Sequence, residues 1–131
     1  MKKLLSLAFG LALFASPALA ADISLDGFLR GNCGTVTESG GAGTLNNKCG
    51  VITTASLVNP AGSEYAVTLT NSAATIGDIV LWSAGHGTNT TGVMAMRRAT
   101  VAAGSIVFTI AQSTGVNFNG TMLITYFVLK P

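Results

Sequence analysis

The chain has 131 residues, 49% of them hydrophobic and 9% charged, with seven Lys and Arg against five Asp and Glu. Two of the seven basic residues, Lys2 and Lys3, belong to the leader described next, so the remaining side chains balance to zero charge. That excludes electrostatic capture of nucleic acid, which rests on clustered Lys and Arg neutralising phosphates, and the recurrent apolar β-formers exclude the charged, aromatic-poor profile of a disordered chain.

Met1-Lys2-Lys3 opens an apolar run from Leu4 to Ala15, followed by Ser16-Pro17-Ala18-Leu19-Ala20. A positive start, a short apolar middle and small residues at Ala18-x-Ala20 have the layout of a bacterial secretory signal peptide. The run is shorter than the roughly 20 apolar residues that span a bilayer, so no stable membrane insertion is expected after its removal. The expected organisation is therefore a signal peptide over 1–20 and one domain over 21–131. The setting is secreted, extracellular or periplasmic, with a virion or cell surface as the specific location.

Cys33 and Cys49 are the two cysteines, and both lie in the exported part. An oxidising compartment favours a disulfide between them, closing a loop over 33–49 at the N-terminal end of the domain. A bridge across roughly 15 residues is expected to stabilise by about 3 kcal/mol. Each cysteine is followed by glycine, and the turn-rich stretch between them can fold back as a hairpin around Gly40-Gly41-Ala42-Gly43. That stretch lacks the Lys-Ser/Thr ending of a phosphate-binding loop.

Beyond this loop no segment keeps a helical period, and short β-rich runs recur about every dozen residues between Gly, Asn, Pro and Ser. The expected strands are 44–45, 51–57, 65–70, 78–84, 93–98, 105–111 and 121–130. The fold class is all-β, a single-domain β-sandwich or jelly-roll-like barrel of about seven strands. Alternation places Tyr65, Val67 and Leu69 toward the core, and Ile106, Phe108 and Ile110 likewise. The final run, from Met122 to Leu129, is apolar on both faces, as for a central strand covered on both sides or one packed against a partner chain. Turns are expected at Asn59-Pro60-Ala61-Gly62, Val101-Ala102-Ala103-Gly104 and Asn117-Phe118-Asn119-Gly120, the last through its Asn-Gly pair.

The longest polar segment, Ala84-Gly85-His86-Gly87-Thr88-Asn89-Thr90-Thr91-Gly92, is the candidate recognition loop. Trp82 lies just before it, either as a core residue or as an exposed platform on which a sugar ring could stack. Trp82, His86, Asn89 and Thr90 are thus the candidate contacts to a glycan or partner protein. Asn89-Thr90-Thr91 and Asn119-Gly120-Thr121 match the glycosylation pattern, but behind a bacterial leader both are expected to be unmodified turns.

The order Gly50-Val51-Ile52-Thr53-Thr54-Ala55-Ser56-Leu57, then Pro60-Ala61-Gly62-x-x-Tyr65-x-Val67-Thr68-Leu69-Thr70-Asn71-Ser72, then Asp78-Ile79-Val80-Leu81, resembles small β-domains encoded by bacteriophages and prophages. The resemblance continues through Gly87-Thr88-Asn89-Thr90-x-Gly92, Ala103-Gly104-Ser105-x-Val107-x-x-Ile110 and Phe118-Asn119-Gly120-Thr121-Met122-x-Ile124-x-Tyr126-Phe127-Val128. It implies a β-sandwich with a structural or adhesive role in a virion-associated or surface protein, without an assigned active site. The signal peptide and the Cys33/Cys49 pair depart from that pattern and point to export rather than intracellular capsid assembly.

Reactive chemistry finds little to work with. His86 is the single histidine, flanked by glycines and without a Gly-x-Ser-x-Gly elbow, so no nucleophilic site is expected. Glu64 and Asp78 sit at strand starts as ordinary turn formers, and Glu38 falls within the disulfide loop, which does not make the fixed carboxylate pair of a glycosidase. No calcium loop, multi-His cluster or cofactor motif occurs. Arg97-Arg98 is the one local basic spot, and strand alternation would send the two guanidinium groups to opposite faces. The expectation is a non-enzymatic structural protein that forms homo-oligomers or joins other structural proteins, with a lectin-like or adhesin-like module as the alternative.

Overall fold

Side chains that alternate along a strand line two different faces, and the observed burial follows that period through most of the chain. The computed structural model describes residues 33–58, 60, 62–113 and 115–131. The expected leader and cleavage site, with Asp22, Asp26 and Arg30, lie outside the described residues, as do Asn59 and Ala61 of the first expected turn. The described strands are β1 (Gly34–Thr37), β2 (Ala42–Thr44), β3 (Cys49–Thr53), β4 (Glu64–Thr70), β5 (Ile79–His86), β6 (Met94–Ala102), β7 (Ser105–Gln112) and β8 (Met122–Leu129). They form two four-stranded mixed sheets, β1-β3-β8-β5 (sheet A) and β2-β4-β7-β6 (sheet B). The arrangement is an all-β sandwich, not a closed barrel.

The extra strand relative to the sequence reading is β1, inside the disulfide loop. Ser39 pairs with Ala42 across Gly40 and Gly41, whose φ angles of 60° and 81° suit a tight two-residue turn. The hairpin then splits: β1 runs parallel to β3 in sheet A while β2 runs parallel to β4 in sheet B. These short arms therefore occupy one edge of each sheet, a common way of limiting edge-to-edge pairing. The Cys33–Cys49 disulfide is present, with Cα atoms 4.7 Å apart. Just after it, Gly34 and Gly50 face each other in register. A Cβ on Gly50 would lie 3.0 Å from both the Gly34 carbonyl oxygen and the Tyr126 ring, so the second glycine after a cysteine makes room for an aromatic.

Two expectations change. The strand expected over 51–57 ends at Thr53, and Leu57 instead makes an isolated bridge to Gly120. Asn119-Gly120 is not a hairpin turn, because the chain there crosses between sheets: β7 lies in sheet B and β8 in sheet A. Glycine is needed at 120 because a Cβ would approach the Thr88 carbonyl carbon and the Asn89 nitrogen to 2.7 Å. The turn after β6 is as expected, Ala102 pairing with Ser105 around Ala103 and left-handed Gly104.

The core joins the inner faces. Ile52, Ile124, Tyr126 and Val128 of sheet A meet Val67, Leu69, Ile106 and Phe108 of sheet B, and Leu57, Ile110, Phe118 and Met122 extend it toward one end. Phe108 bridges the layers, its ring centroid 5.4 Å from Trp82 and 5.8 Å from Tyr126. Tyr65 is half-buried while Val67 and Leu69 are fully buried, and Ile106, Phe108 and Ile110 are buried as alternation required. β8 lies between β3 and β5 but is covered on one side only, not on both: Met122, Ile124, Tyr126 and Val128 point inward, and Leu123, Thr125, Phe127 and Leu129 stay partly open on the other side.

Buried polar groups are answered locally. The fully buried Asn71 donates its Nδ2 to the Asn47 carbonyl (2.8 Å) and to the Tyr126 hydroxyl (3.2 Å), and accepts from the Ala73 N–H (2.9 Å). Burial pushes the Tyr126 phenol up to about 12. The Lys130 ammonium donates to the Ala73 carbonyl, the Thr75 hydroxyl and the Asp78 carboxylate, clasping the C-terminal residues to the turn before β5.

Candidate functional site

The loop between β5 and β6 carries two of the four candidate contact residues, Asn89 and Thr90, with His86 closing β5 beside it, and its conformation follows from who accepts its backbone donors. Thr88 and Thr121 bond reciprocally, each N–H donating to the other's Oγ1 (2.9 and 3.0 Å), and the Gly87 N–H donates to the Thr121 carbonyl (2.9 Å). The Thr90 N–H donates to Asn119 Oδ1 (2.8 Å), and Asn119 Nδ2 donates back to Thr90 Oγ1 (2.9 Å). Asn89 is 3% exposed and central to this network. Its Oδ1 accepts the Asn119 N–H (2.7 Å) and its Nδ2 donates to the Thr91 carbonyl (2.5 Å).

His86 Nδ1 lies 2.9 Å from Asn89 Nδ2 and 3.0 Å from the Asn89 carbonyl oxygen. Either tautomer is satisfied: an unprotonated Nδ1 accepts from the amide, and a protonated one donates to the carbonyl. The structure thus brings His86, Asn89 and Thr90 together, but as members of a brace tying this loop to residues 117–121. Trp82 stands apart from them. It is half-buried on the inner face of β5 against Phe108, which is the core placement of its two readings.

The two arginines depart from the sequence expectation. A register shift between Met96 and Arg98 makes Arg97 an extra residue in β6, a β-bulge that suspends simple alternation. Arg98 pairs with Thr109, and Arg97 Nε lies 3.8 Å from Glu64 Oε1 across β7. Both guanidinium groups therefore serve the solvent face of sheet B instead of diverging. The Arg97–Glu64 pair is well exposed on both sides, the kind of surface pair that contributes about 1 kcal/mol or less.

Sequence reasoning passed over two features. The first is Glu38, 2% exposed, where the hairpin splits. Its carboxylate accepts the Gly41 N–H (2.6 Å), the Ala55 N–H (2.5 Å) and the Tyr65 hydroxyl (2.7 Å). It joins the turn, the segment after β3 and β4. Burial, and then the adjoining Glu38 carboxylate, push the Tyr65 phenol up to about 12.

The second feature is the outer face of sheet A. Register rows across it read Leu129–Ile79; Phe127 between Cys49 and Leu81; Thr125 between Val51 and Ser83; and Leu123 between Thr53 and Gly85. Ile79 and Leu81 are 55% and 51% exposed, beside half-open Phe127 and Leu129. None of these positions carries a charge. The equivalent face of sheet B carries Glu64, Arg97, Arg98 and a spread of Thr and Ala. The apolar rows were readable as the second face of β8, but the neighbours that extend them become visible only with the strand order.

No protein-family model, curated protein or solved structure matches this chain. Among the described residues, no three His, Cys, Asp or Glu side chains gather into a metal site, and no helix is long and apolar enough to cross a membrane. The disulfide fits a non-reducing setting, extracellular or periplasmic.

Proposed function

We propose that this chain is an exported, non-catalytic structural β-subunit, associated with a virion or a cell surface, that works by self-association. The observation that carries the reading is the uncharged apolar strip of Ile79, Leu81, Phe127 and Leu129 on the outer face of sheet A. A soluble domain seldom leaves aliphatic and aromatic side chains contiguous on a sheet face unless something packs there. The leader, the neutral exported part and the phage-like sequence pattern agree with a subunit of an extracellular assembly.

The alternative, a lectin-like or adhesin-like module reading a glycan or partner through the 84–92 loop, has less support. The polar atoms of Asn89 and Thr90 already bond to Thr91 and to Asn119, and Trp82 packs on Phe108. Light scattering coupled to size-exclusion chromatography on the oxidised mature protein, over a wide concentration range, tests the choice. A defined oligomer whose population rises with concentration is expected. A monomer throughout would overturn the self-association reading and return the weight to the loop.

A further inference from the structure

We infer that the outer face of sheet A is a two-fold interface between two copies of this chain, an inference that rests on the self-association reading above. Three properties of the face commit it to a second copy.

The first is charge. The thirteen outward positions of the sheet, Thr35 and Thr37 of β1, Cys49, Val51 and Thr53 of β3, Ile79, Leu81, Ser83 and Gly85 of β5, and Leu123, Thr125, Phe127 and Leu129 of β8, include no ionisable side chain free to bear charge. The nearest described charges are Lys48 at the margin and Asp78–Lys130, already paired within the chain. A charged partner would find no complement here. The same face turned on itself meets no like charge, the condition under which an isologous contact is not penalised.

The second is size. Strands of four, five, eight and eight residues, each about 4.8 Å wide and about 3.3 Å per residue, give a footprint of roughly 400 Å². Two such faces together cover about 800 Å², the size of a weak contact that forms as concentration rises.

The third is the distribution of side chains. The largest apolar groups occupy the rows Leu129–Ile79 and Cys49–Phe127–Leu81, and the rows Thr35–Val51–Thr125–Ser83 and Thr37–Thr53–Leu123–Gly85 beyond them carry mostly hydroxyls, with Val51 and Leu123 among them. That is an anchor cluster with an uncharged polar margin, the anatomy of a protein interface. Phe127 and Leu81 share one row on adjacent strands, so a two-fold axis near that row sets each against the other's copy, as sheets do when they pack face to face. β5 is also the edge strand of sheet A, and covering its outer side chains reduces the exposure of that edge.

Two measurements on the oxidised mature chain test this. In light scattering, Leu81→Lys should weaken the dimer at least tenfold while the circular dichroism stays that of the parent. Leu81 is half-exposed, so the substitution leaves the core intact. Thr68→Lys, on the outer face of sheet B, should leave the dimer unchanged. Hydroxyl-radical labelling of the unsubstituted chain should show modification of Leu81 and Phe127 falling as concentration rises. An oligomer undiminished by Leu81→Lys overturns this interface while leaving self-association standing, whereas a monomeric parent overturns both. Labelling that is already low at concentrations where scattering shows a monomer assigns the cover to the chain's own N-terminal residues and overturns the second copy.

Discussion

Glu38 and Asn89 lie toward the same end of the sandwich and do the same kind of work with different chemistry. Each is nearly fully buried, and each side chain binds a turn to a segment distant in sequence. Glu38 does so with a carboxylate whose three partners are neutral N–H and O–H donors. Asn89 does so with an amide that both accepts and donates, spreading its bonds over His86, Thr91 and Asn119. The carboxylate concentrates the connection of three elements in one group and so makes that junction intolerant of loss. The amide shares the load with the reciprocal Thr88–Thr121 and Thr90–Asn119 bonds, so its loop keeps other ties. Polar residues in a nearly uncharged chain can serve the fold as readily as a ligand.

Removing Glu38 is the strongest way to break this comparison. Glu38→Ala leaves the Gly41 and Ala55 N–H groups and the Tyr65 hydroxyl, all half-buried, without their acceptor. Bonds to a charged acceptor contribute about 1.5–3 kcal/mol each, offset by relief of the carboxylate's desolvation. A net loss of about 3 kcal/mol is expected, which for a domain of this size lowers Tm by roughly 10–20 °C. Calorimetry on the oxidised protein checks it, and a loss no larger than that of an exposed substitution would show that the three donors find other partners.

Asn89→Ala should cost less, about 1–2 kcal/mol, because it frees the Asn119 N–H and the Thr91 carbonyl at a loop whose other bonds remain. The effect should be local. Hydrogen exchange should speed at 88–91 and 117–121 and stay unchanged in β4 and β7. If instead the whole domain loosens, the two hubs are equivalent and the contrast between them fails.

Both hubs show where sequence reading stopped. Alternation located the inward faces of β4, β7 and β8 because large apolar residues stand at every second position there, and the two cysteines announced their bond through compartment and spacing. β1 was not legible, since Gly34-Thr35-Val36-Thr37 is a short run inside a glycine-rich loop and is held by its parallel pairing to β3, a contact that local sequence does not encode. Glu38 was passed over for the same reason: its donors come from positions 41, 55 and 65, which only the folded sandwich brings together. The polar segment 84–92 contains the irregular loop, but Ala84-Gly85-His86 continue β5 and the loop itself starts at Gly87. What the sequence could not show is that Asn117-Phe118-Asn119-Gly120 lies against it and engages the side chains marked as ligand contacts. Arg97 and Arg98 were misassigned because one inserted residue shifts the register by which faces are counted.

Alkaline pH sharpens the difference between the hubs without any substitution. Tyr65 is pushed up to about 12 by burial and by the Glu38 carboxylate, and Tyr126 to about 12 by burial. Unfolded tyrosines ionise near 10, so above that pH the unfolded state holds fewer protons than the folded one and stability falls as pH rises. The contribution is complete below about pH 10 and is lost as pH climbs through about 12. Urea midpoints between these limits should fall less steeply in Tyr65→Phe than in the parent, and the remaining tyrosine slope should vanish with Tyr126→Phe. The Asn89 network contains no phenol, so hydrogen exchange in its loop should follow the global stability without a separate alkaline opening.

The smallest effect belongs to a clasp whose Lys130 ammonium stays open to solvent over a nearly covered Asp78 carboxylate. Lys130 holds the Asp78 carboxylate at 2.6 Å and, with the Thr75 N–H and hydroxyl, lowers its pKa below the ordinary 3.8. A lowered carboxyl contributes stability above its unfolded value and loses it as pH falls through the folded one, so this contribution is present at neutral pH and disappears in acid. Solvent and salt weaken such a pair. Lys130→Met should therefore lower Tm slightly at neutral pH and low salt, by less than either hub substitution. The difference from the parent should close both in molar salt and in acid below the pH at which the folded Asp78 titrates. A difference that survives both conditions would mean that the bonds of Lys130 to the Ala73 carbonyl and Thr75 hydroxyl, and not its charge on Asp78, hold the C-terminal residues in place. The clasp would then act as Asn89 does, through hydrogen bonding alone.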